Sequence, residues 1–586
     1  MTRYLALVRG SKGADDRLLT RVKTAIDHHG LGDHICSIHG GLILTIGNCS
    51  VSLGRHGAVV GSLFRRGETK VVHTLVESMQ ACIVRTEGSE LIDEYWGDYV
   101  AVITRNDGEE ATILRSPFGD LPCLFTEMAG WMLVASDVDL LARLAGFHPQ
   151  VDWTAACQHL ALRDIRLRPT CLAGLNELHG GERLRLRGGW SVDEAWSPWR
   201  FADPDLQITE RDEAVACLRT ETLRTVRAKA SRFRRIVLML SGGLDSSIVA
   251  ASLADSEQHF HCLTLVTRDR LGDEYGYAKD ASDAVERPLH MSMREVSRID
   301  MRMSVAARLP RPVARAFAQE SRRAALELTG KIGADAIFGG GGGDNLFCSL
   351  QSGAPAADRL IAAGPGRHFL ETARNISVVA PASMGAVIGD AVRRAWLGKR
   401  GAIRPGDQSY LSAGAIEAAM DAPIHPWLSP PSGTLPGKAG HARLLAYAQS
   451  YAESFDPRDA CSTVAPLLAQ PLVELCLRIP TWLWFEKGIN RSVARDAFTA
   501  HLPLEITHRR SKGSPESFIA EIYDYHRSTI CDLLLDGLLM QNAVIDRHQV
   551  ERTLSDVRPA HGMAFHRIME LADVEAWARS WSCGAG

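Results

Sequence analysis

The hydrophobic positions of this chain change their spacing near residue 200. Before that point they fall in short runs broken by turn residues. Tyr99-Val-Ala-Val-Ile-Thr104, Ala111-Thr-Ile-Leu114 and Trp131-Met-Leu-Val-Ala135 read as strands, with Asn106-Asp-Gly108 and Ala129-Gly130 as turns. Arg183-Leu-Arg-Leu-Arg187 alternates and ends at Gly188-Gly189. Ser197-Pro-Trp-Arg-Phe-Ala-Asp-Pro-Asp205 has no period and two prolines, which places a linker there.

Beyond the linker, long helical stretches enclose a few apolar runs. Thr209, followed by carboxylates in a first turn, predicts the start of a helix that continues to Ala230. Arg235-Ile-Val-Leu-Met-Leu240, Phe260-His-Cys-Leu-Thr-Leu-Val266 and Ala334-Asp-Ala-Ile-Phe338 are near-continuous, as strands covered on both faces require. A helical pattern from Val313 to Leu328 precedes the third. Strands alternating with helices predict a parallel sheet with crossovers. Residues 350–440 are rich in Gly, Pro and Ala, and helices are expected from 441 onward. The fold class is thus α/β, with an α+β segment first. The expected domains are 1–200 and 208–586.

Composition narrows the function classes. The 586 residues are 46% apolar and 23% charged, with a formal net charge of −3. That balance argues against a nucleic-acid or anionic-membrane surface. No stretch reaches the roughly 18 apolar residues of a membrane span, and the N-terminus is too short in apolar residues for a signal peptide, so a cytoplasmic protein is expected. The 13 cysteines include no C-x-x-C pair, and neither H-E-x-x-H nor G-x-S-x-G occurs.

The chemistry gathers at Ser241-Gly-Gly-Leu-Asp-Ser-Ser247, between an apolar run and a helix-forming stretch. An open α/β sheet places an anion site there, at a strand's C-terminal end and a helix N-terminus. Gly242 and Gly243 lack Cβ atoms, so their N–H groups can close on a phosphate, and Ser241, Ser246 and Ser247 add hydroxyls. Asp245 suits a polyanion only through a bridging cation such as Mg2+. Phe338-Gly-Gly-Gly-Gly-Gly-Asp344 follows another buried run. It offers Gly340 to the nucleotide and Asp344 as the second carboxylate on the metal. In Arg509-Arg-Ser-Lys-Gly513, Lys512 and Arg510 are candidates to stabilise charge on the α-phosphate and the leaving pyrophosphate.

The seven-residue loop resembles the pyrophosphate loop of ATP pyrophosphatases, which implies ATP cleaved between its α- and β-phosphates. Together with G-G-G-D-N-L-F, with Arg510-x-Lys-Gly513 and with Pro466-Leu-Leu-Ala-Gln-Pro-Leu-Val-Glu474, it is similar to the synthetase domain of asparagine synthetase B-type enzymes. Leu91-Ile-Asp-Glu-Tyr-Trp-Gly97, Arg115-Ser-Pro-Phe-Gly-Asp-Leu-Pro122 and Val134-Ala-Ser-Asp137 resemble the glutaminase domain of the same family. The resemblance implies an N-terminal Ntn-hydrolase-like (class II glutaminase-like) sandwich followed by a parallel-sheet ATP-pyrophosphatase domain. Such glutaminases expose an N-terminal cysteine, but residue 2 here is Thr2 and no cysteine precedes Cys36. The family's glutamine-holding N-G-E is replaced by Val60-Gly-Ser62. The expected N-terminal domain is therefore a degenerate glutaminase that keeps the fold without the hydrolysis.

An adenylating domain that takes its amine from elsewhere is similar to β-lactam synthetase and, more so, to the lasso-peptide cyclases. Asp-Asn after the glycines, and His425-Pro-Trp427 followed by Pro436-Gly-Lys438 and His441, carry the second resemblance. It implies that an Asp or Glu side chain of a ribosomal precursor peptide is adenylated and captured by the peptide's N-terminal amine, giving a macrolactam. It also implies a leader peptidase and a leader-binding protein as partners. His425, Trp427, Lys438 and His441 are then candidate substrate residues on the wall of a cavity built from residues 350–440. Relatives carry a Glu or Tyr base three residues before the second magnesium carboxylate, where this chain has Gly341. The alternatives are an amide synthetase for a small acid and a non-catalytic peptide-binding scaffold.

Overall fold

The computed structural model describes residues 2–10, 13–31, 35–47, 50–163, 165–268, 274–313, 315–397, 406–510, 516–556 and 558–582. Its N-terminal third is built on two six-stranded sheets whose neighbours all run antiparallel. The first has the order Asn176–Glu177, Leu124–Met128, Trp131–Ala135, Arg3–Arg9, Gly41–Ile46, Ile35–Ile38. The second runs Trp190–Glu194, Glu182–Leu186, Glu110–Arg115, Tyr95–Arg105, Gly57–Arg65, Ser50–Ser52.

Alternation along the strands explains the layering. Tyr4, Ala6 and Val8 face inward and meet Val60, Val100 and Val102 of the opposite sheet. Leu5 and Leu7 point the other way, against Leu18, Val22 and Ile26 of the helix Asp16–His28. On the far side Val59, Leu63 and Tyr99 pack with Ile83 and Leu91 from the helices Glu77–Arg85 and Ser89–Glu94. The result is a helix–sheet–sheet–helix sandwich, as expected. Because both faces of both sheets are covered, the strands are more uniformly apolar than a half-exposed sheet would be.

The second half is organised by a five-stranded parallel sheet, in the order Leu289–Met293, His259–Val266, Arg235–Met239, Ala336–Gly339, Ser462–Val464. From the central strand Arg235–Met239 the chain first builds to one side, then returns to add Ala336–Gly339 on the other. This creates a switch point between the two strand ends. Helices surround the sheet. Residues 350–440 prove largely helical, with Ala354–Ala363, Arg367–Val379, Met384–Val392 and Ala413–Met420.

Several local expectations are corrected. The helix predicted from Thr209 runs Arg211–Ala230 with Glu210 at its N-cap and no side-chain cap, so Thr209 is not the capping residue. The helix predicted from Val313 begins at Ala318. In the segment 197–205, Pro198 and Ala202 are buried while Arg200 and Asp203–Asp205 are exposed, and just before it the Trp196 indole donates to Glu474 Oε1 at 2.9 Å.

Buried charges join the two halves. Lys229 Nζ and Arg232 Nη1 reach the two oxygens of Asp98 at 2.9 and 2.7 Å. Arg115 and Arg166 of the sandwich reach Glu453 of the second half at 2.5 and 3.0 Å. No described helix is long and apolar enough to cross a membrane.

Candidate active site

The two glycine-rich segments leave adjacent strand ends. Met239 and Gly339 are register partners in the parallel sheet, so the segments that follow them emerge side by side. The first turns at once into the helix Leu244–Ala254, whose N-cap is Gly243 and whose first turn has no side-chain cap. Its leading N–H groups are therefore open to an anion. Gly242 adopts φ +67°, and a Cβ there would lie 2.4 Å from the backbone nitrogen of Ala278, so no other residue fits.

The loop's hydroxyls divide their work. Gly243 N–H donates to Ser241 Oγ at 3.3 Å, Ser246 Oγ donates to the Gly243 carbonyl at 3.2 Å, and the two hydroxyls lie 3.2 Å apart. Ser241 and Ser246 thus hold the turn's shape. Ser247 Oγ is buried and makes no hydrogen bond among the described residues.

The second segment crosses tight against the first. A Cβ on Gly340 would lie 2.4 Å from Ser246 N, and one on Gly343 would lie 2.5 Å from the Asp245 Cγ. Only bare backbone permits this approach. It sets Asp344, in the short helix Gly343–Leu346, beside Asp245 in the first turn of the loop helix. Gly341 is covered from another side. A Cβ there would fall 1.8 Å from the Tyr451 ring, so the phenol of Tyr451 stands where a side chain at 341 would be.

The two carboxylates do meet around one cation. Arg491 Nη1 lies 2.9 and 3.0 Å from the oxygens of Asp245 and 2.5 Å from Asp344 Oδ1. Burial alone would lower the Arg491 pKa, but the pull of Asp245 and then Asp344 outweighs it and raises the value. Arg495, one turn on, is anchored by Asn490 and by the Thr507 carbonyl at 2.8 Å. Burial and the neighbouring Arg491 charge bring its pKa down to about 10. Arg509 closes the loop from outside: it donates to the Gly242 carbonyl at 3.3 Å and to Glu274 at 2.9 Å, with its guanidinium 3.8 Å above the Tyr277 ring.

Arg491, Arg509 and Tyr451 are the site residues that sequence reading misses. Only Arg509 carries a local signal, as the neighbour of Arg510 in the basic string. Arg510 itself is exposed. Lys512 lies outside the described residues.

The four candidate substrate residues, His425, Trp427, Lys438 and His441, are all buried. Trp427 sits in an aromatic cluster with Phe118 and Trp196, at ring separations of 5.2 and 5.5 Å. His425 stacks on His179 at 4.6 Å and accepts from Trp427 N–H. Lys438 is wholly buried, donates to the carbonyls of Leu477 and Ile479, and is brought by burial down to about 8. His441 contacts the Leu346 carbonyl at 2.8 Å and is held neutral by burial, at about 3. All four are buried, His425 beside His179 and near Glu182, Lys438 near Asp358.

In the sandwich, Thr2, Ser62, Asp98 and Asp120 line a cavity of about 20 Å3, scarcely room for a water. Arg232 forms part of its wall, and Asp98 is neutralised by Lys229 as well.

Residues 218–579 match the family model described as Asparagine synthase. No curated protein matches the chain. Among solved structures, the chain is similar to a glutamine phosphoribosylpyrophosphate amidotransferase from B. subtilis complexed with ADP and GMP, at 9% identity and a TM-score of 0.20, over 50% of this chain and 67% of that one. It is also similar to an allosteric regulatory enzyme of purine biosynthesis, at 8% identity and a TM-score of 0.22, over 50% and 80%.

Proposed function

Because the chain belongs to the asparagine synthase family and is an ATP-dependent amide-forming ligase, we propose that it closes a macrolactam ring in a ribosomal precursor peptide, as a lasso-peptide cyclase does. The observation that carries the adenylation step is the convergence of Asp245 and Asp344 on one point beside the uncapped helix Leu244–Ala254. The helix N-terminus and Ser247 take the phosphates of ATP. Asp245 and Asp344 would hold Mg2+, which supplies a bridge to the phosphate oxygens.

In the first step a carboxylate oxygen of the substrate's Asp or Glu attacks the α-phosphorus, and pyrophosphate leaves. In the second, the amine nitrogen attacks the acyl carbon, AMP leaves, and the amine gives up a proton. Arg510 and Lys512 are assigned to the charge that develops on the leaving groups. The 20 Å3 cavity at Thr2, with Asp98 locked in ion pairs, supports an amine that does not come from glutamine. A leader peptidase and a leader-binding protein would deliver the free amine.

The inward packing of His425, Trp427, Lys438 and His441 favours a second reading, an amide synthetase for a small acid. One experiment separates the two. The purified chain is given Mg2+, ATP and a synthetic leaderless precursor, or a panel of small acids with free amines. A peptide lighter by one water, with AMP released, is the expected product. AMP release with small acids alone sinks the macrolactam reading.

A further inference from the structure

We propose that Arg491 is a triphosphate-binding residue and that, before the nucleotide arrives, its guanidinium occupies the position Mg2+ takes between Asp245 and Asp344. This deepens the adenylation reading above and rests on it. Metal and nucleotide are then loaded together, because the metal site is closed to a bare ion.

The geometry gives the exclusion directly. One nitrogen, Arg491 Nη1, lies 2.5–3.0 Å from three carboxylate oxygens of the two residues. Magnesium needs its oxygens at about 2.0–2.1 Å and in octahedral array. It cannot enter while that nitrogen stays. The side chain must swing out, and three features prepare it to turn toward phosphate oxygens. Its backbone sits at φ +55°, immediately before the short helix Ser492–Ala497, so the residue projects from a turn rather than from a regular helix face. Among the described residues its Nε is buried without a hydrogen-bond partner, which leaves the guanidinium a donor to spend. Arg495 is fixed behind it by Asn490 and Thr507, so a second positive charge bars retreat into the protein. Released from the carboxylates, the Arg491 charge finds its next counter-ion in the polyanion that brings the metal, and a planar guanidinium suits phosphate oxygens.

The coupling follows from competition. The apparent affinity for a bare divalent ion falls by the fraction of molecules whose carboxylates are free of the guanidinium.

The test uses the full chain, Mn2+ as a spectroscopic probe and a non-hydrolysable ATP analogue. Wild type should bind Mn2+ weakly alone and tightly with the analogue. R491Q should bind Mn2+ alone more tightly than wild type, by about tenfold or more, and should bind the analogue more weakly. R491K should fall between the two, and a thermal melt of each variant establishes that it is folded. Equal Mn2+ affinity of wild type and R491Q without nucleotide overturns the proposal, as does unchanged affinity for the analogue. D245A separates this failure from that of adenylation: if D245A loses Mn2+ while R491Q matches wild type, the metal site stands and the role of Arg491 falls. If wild type takes up neither probe, both fall.

Discussion

Lys229 donates to Asp98 at 2.9 Å across the junction between the sandwich and the ligase half, and both side chains are almost fully buried. The same ammonium also reaches the Leu468 carbonyl at 3.3 Å, so it ties three segments distant in sequence. Removing one partner leaves a buried charge short of its counter-ion. Lys229→Met should therefore lower stability by about 3 kcal/mol, with Arg232 keeping Asp98 partly paired. Chemical denaturation checks this, and a loss below about 0.5 kcal/mol would show that the junction does not depend on the pair.

That junction also explains the silence expected of Thr2. A nucleophile needs a substrate beside it, and the cavity it lines holds about 20 Å3. Thr2→Ala should leave the rate of AMP formation unchanged, whereas Asp245→Ala or Asp344→Ala should cut it by about 10²–10³-fold. Steady-state kinetics with the preferred substrate reads both arms. A large loss in the Thr2 variant would return the N-terminal site to the reaction.

Glu182 gives the sandwich an acid limit. Burial would raise its carboxyl, but His179, whose backbone N–H donates to Glu182 Oε2 at 2.8 Å and whose ring lies 3.7 Å away, and the paired bonds from Arg168, at 2.8 and 3.0 Å, bring it down to about 2 from a usual 4.5. An acid whose folded pKa is depressed stabilises the fold above its unfolded pKa. That stability is lost as pH falls through the folded value. Glu182 should thus contribute about 3 kcal/mol at neutral pH, disappearing between pH 4.5 and 2. Unfolding free energy followed across that window should fall less steeply for Glu182→Gln. An identical slope would place the acid sensitivity elsewhere.

Much of this was legible in the sequence, and the failures share a cause. Runs buried on both faces, such as Ile236–Leu238 within Arg235–Met239 and Trp131–Ala135, announce themselves because their positions are continuously apolar. The edge strand Leu289–Met293 does alternate, with His290 and Ser292 between apolar residues, but over only five positions, and Ser462–Val464 has only three residues, so neither stands out along the chain. Asp245 and Asp344 were readable because each follows glycines after an apolar run. Arg491 was not, since it meets Asp245 across 246 positions and no local pattern marks it. The burial of Lys438 is equally hidden in the sequence: lysine is usually exposed, yet this one lies at 0% exposure and donates to two carbonyls.

Gly341 and Tyr451 offer a test of the missing base. A methyl at 341 would fall 1.8 Å from the Tyr451 ring, so Gly341→Ala must push the phenol away from the loop. Tyr451 is 41% exposed as a residue, and its ring meets Phe455 edge-on at 5.8 Å, so the fold should tolerate the change within about 1 kcal/mol. If the phenol orients the attacking amine, Gly341→Ala and Tyr451→Phe should both slow amide formation while pyrophosphate exchange continues. Loss of exchange in both variants would instead assign Tyr451 to nucleotide binding.

The choice between peptide and small-acid substrates turns on Trp427. Its ring is 3% exposed and touches Phe118 of the sandwich, Trp196 of the connecting segment and His425, so it fastens the ligase half to the rest. A large aromatic in such a setting contributes chiefly through packing. Trp427→Ala should cost about 3–5 kcal/mol, visible as a lower melting temperature. A side chain that no substrate reaches cannot alter substrate recognition, so the KM for substrate, measured on the folded fraction at low temperature, should stay at its wild-type value. A rise of about tenfold in that KM, with the fold intact, corresponds to about 1.4 kcal/mol of lost binding. It would mean that the aromatic cluster opens to admit a peptide, and residues 350–440 would regain the role of a cavity wall.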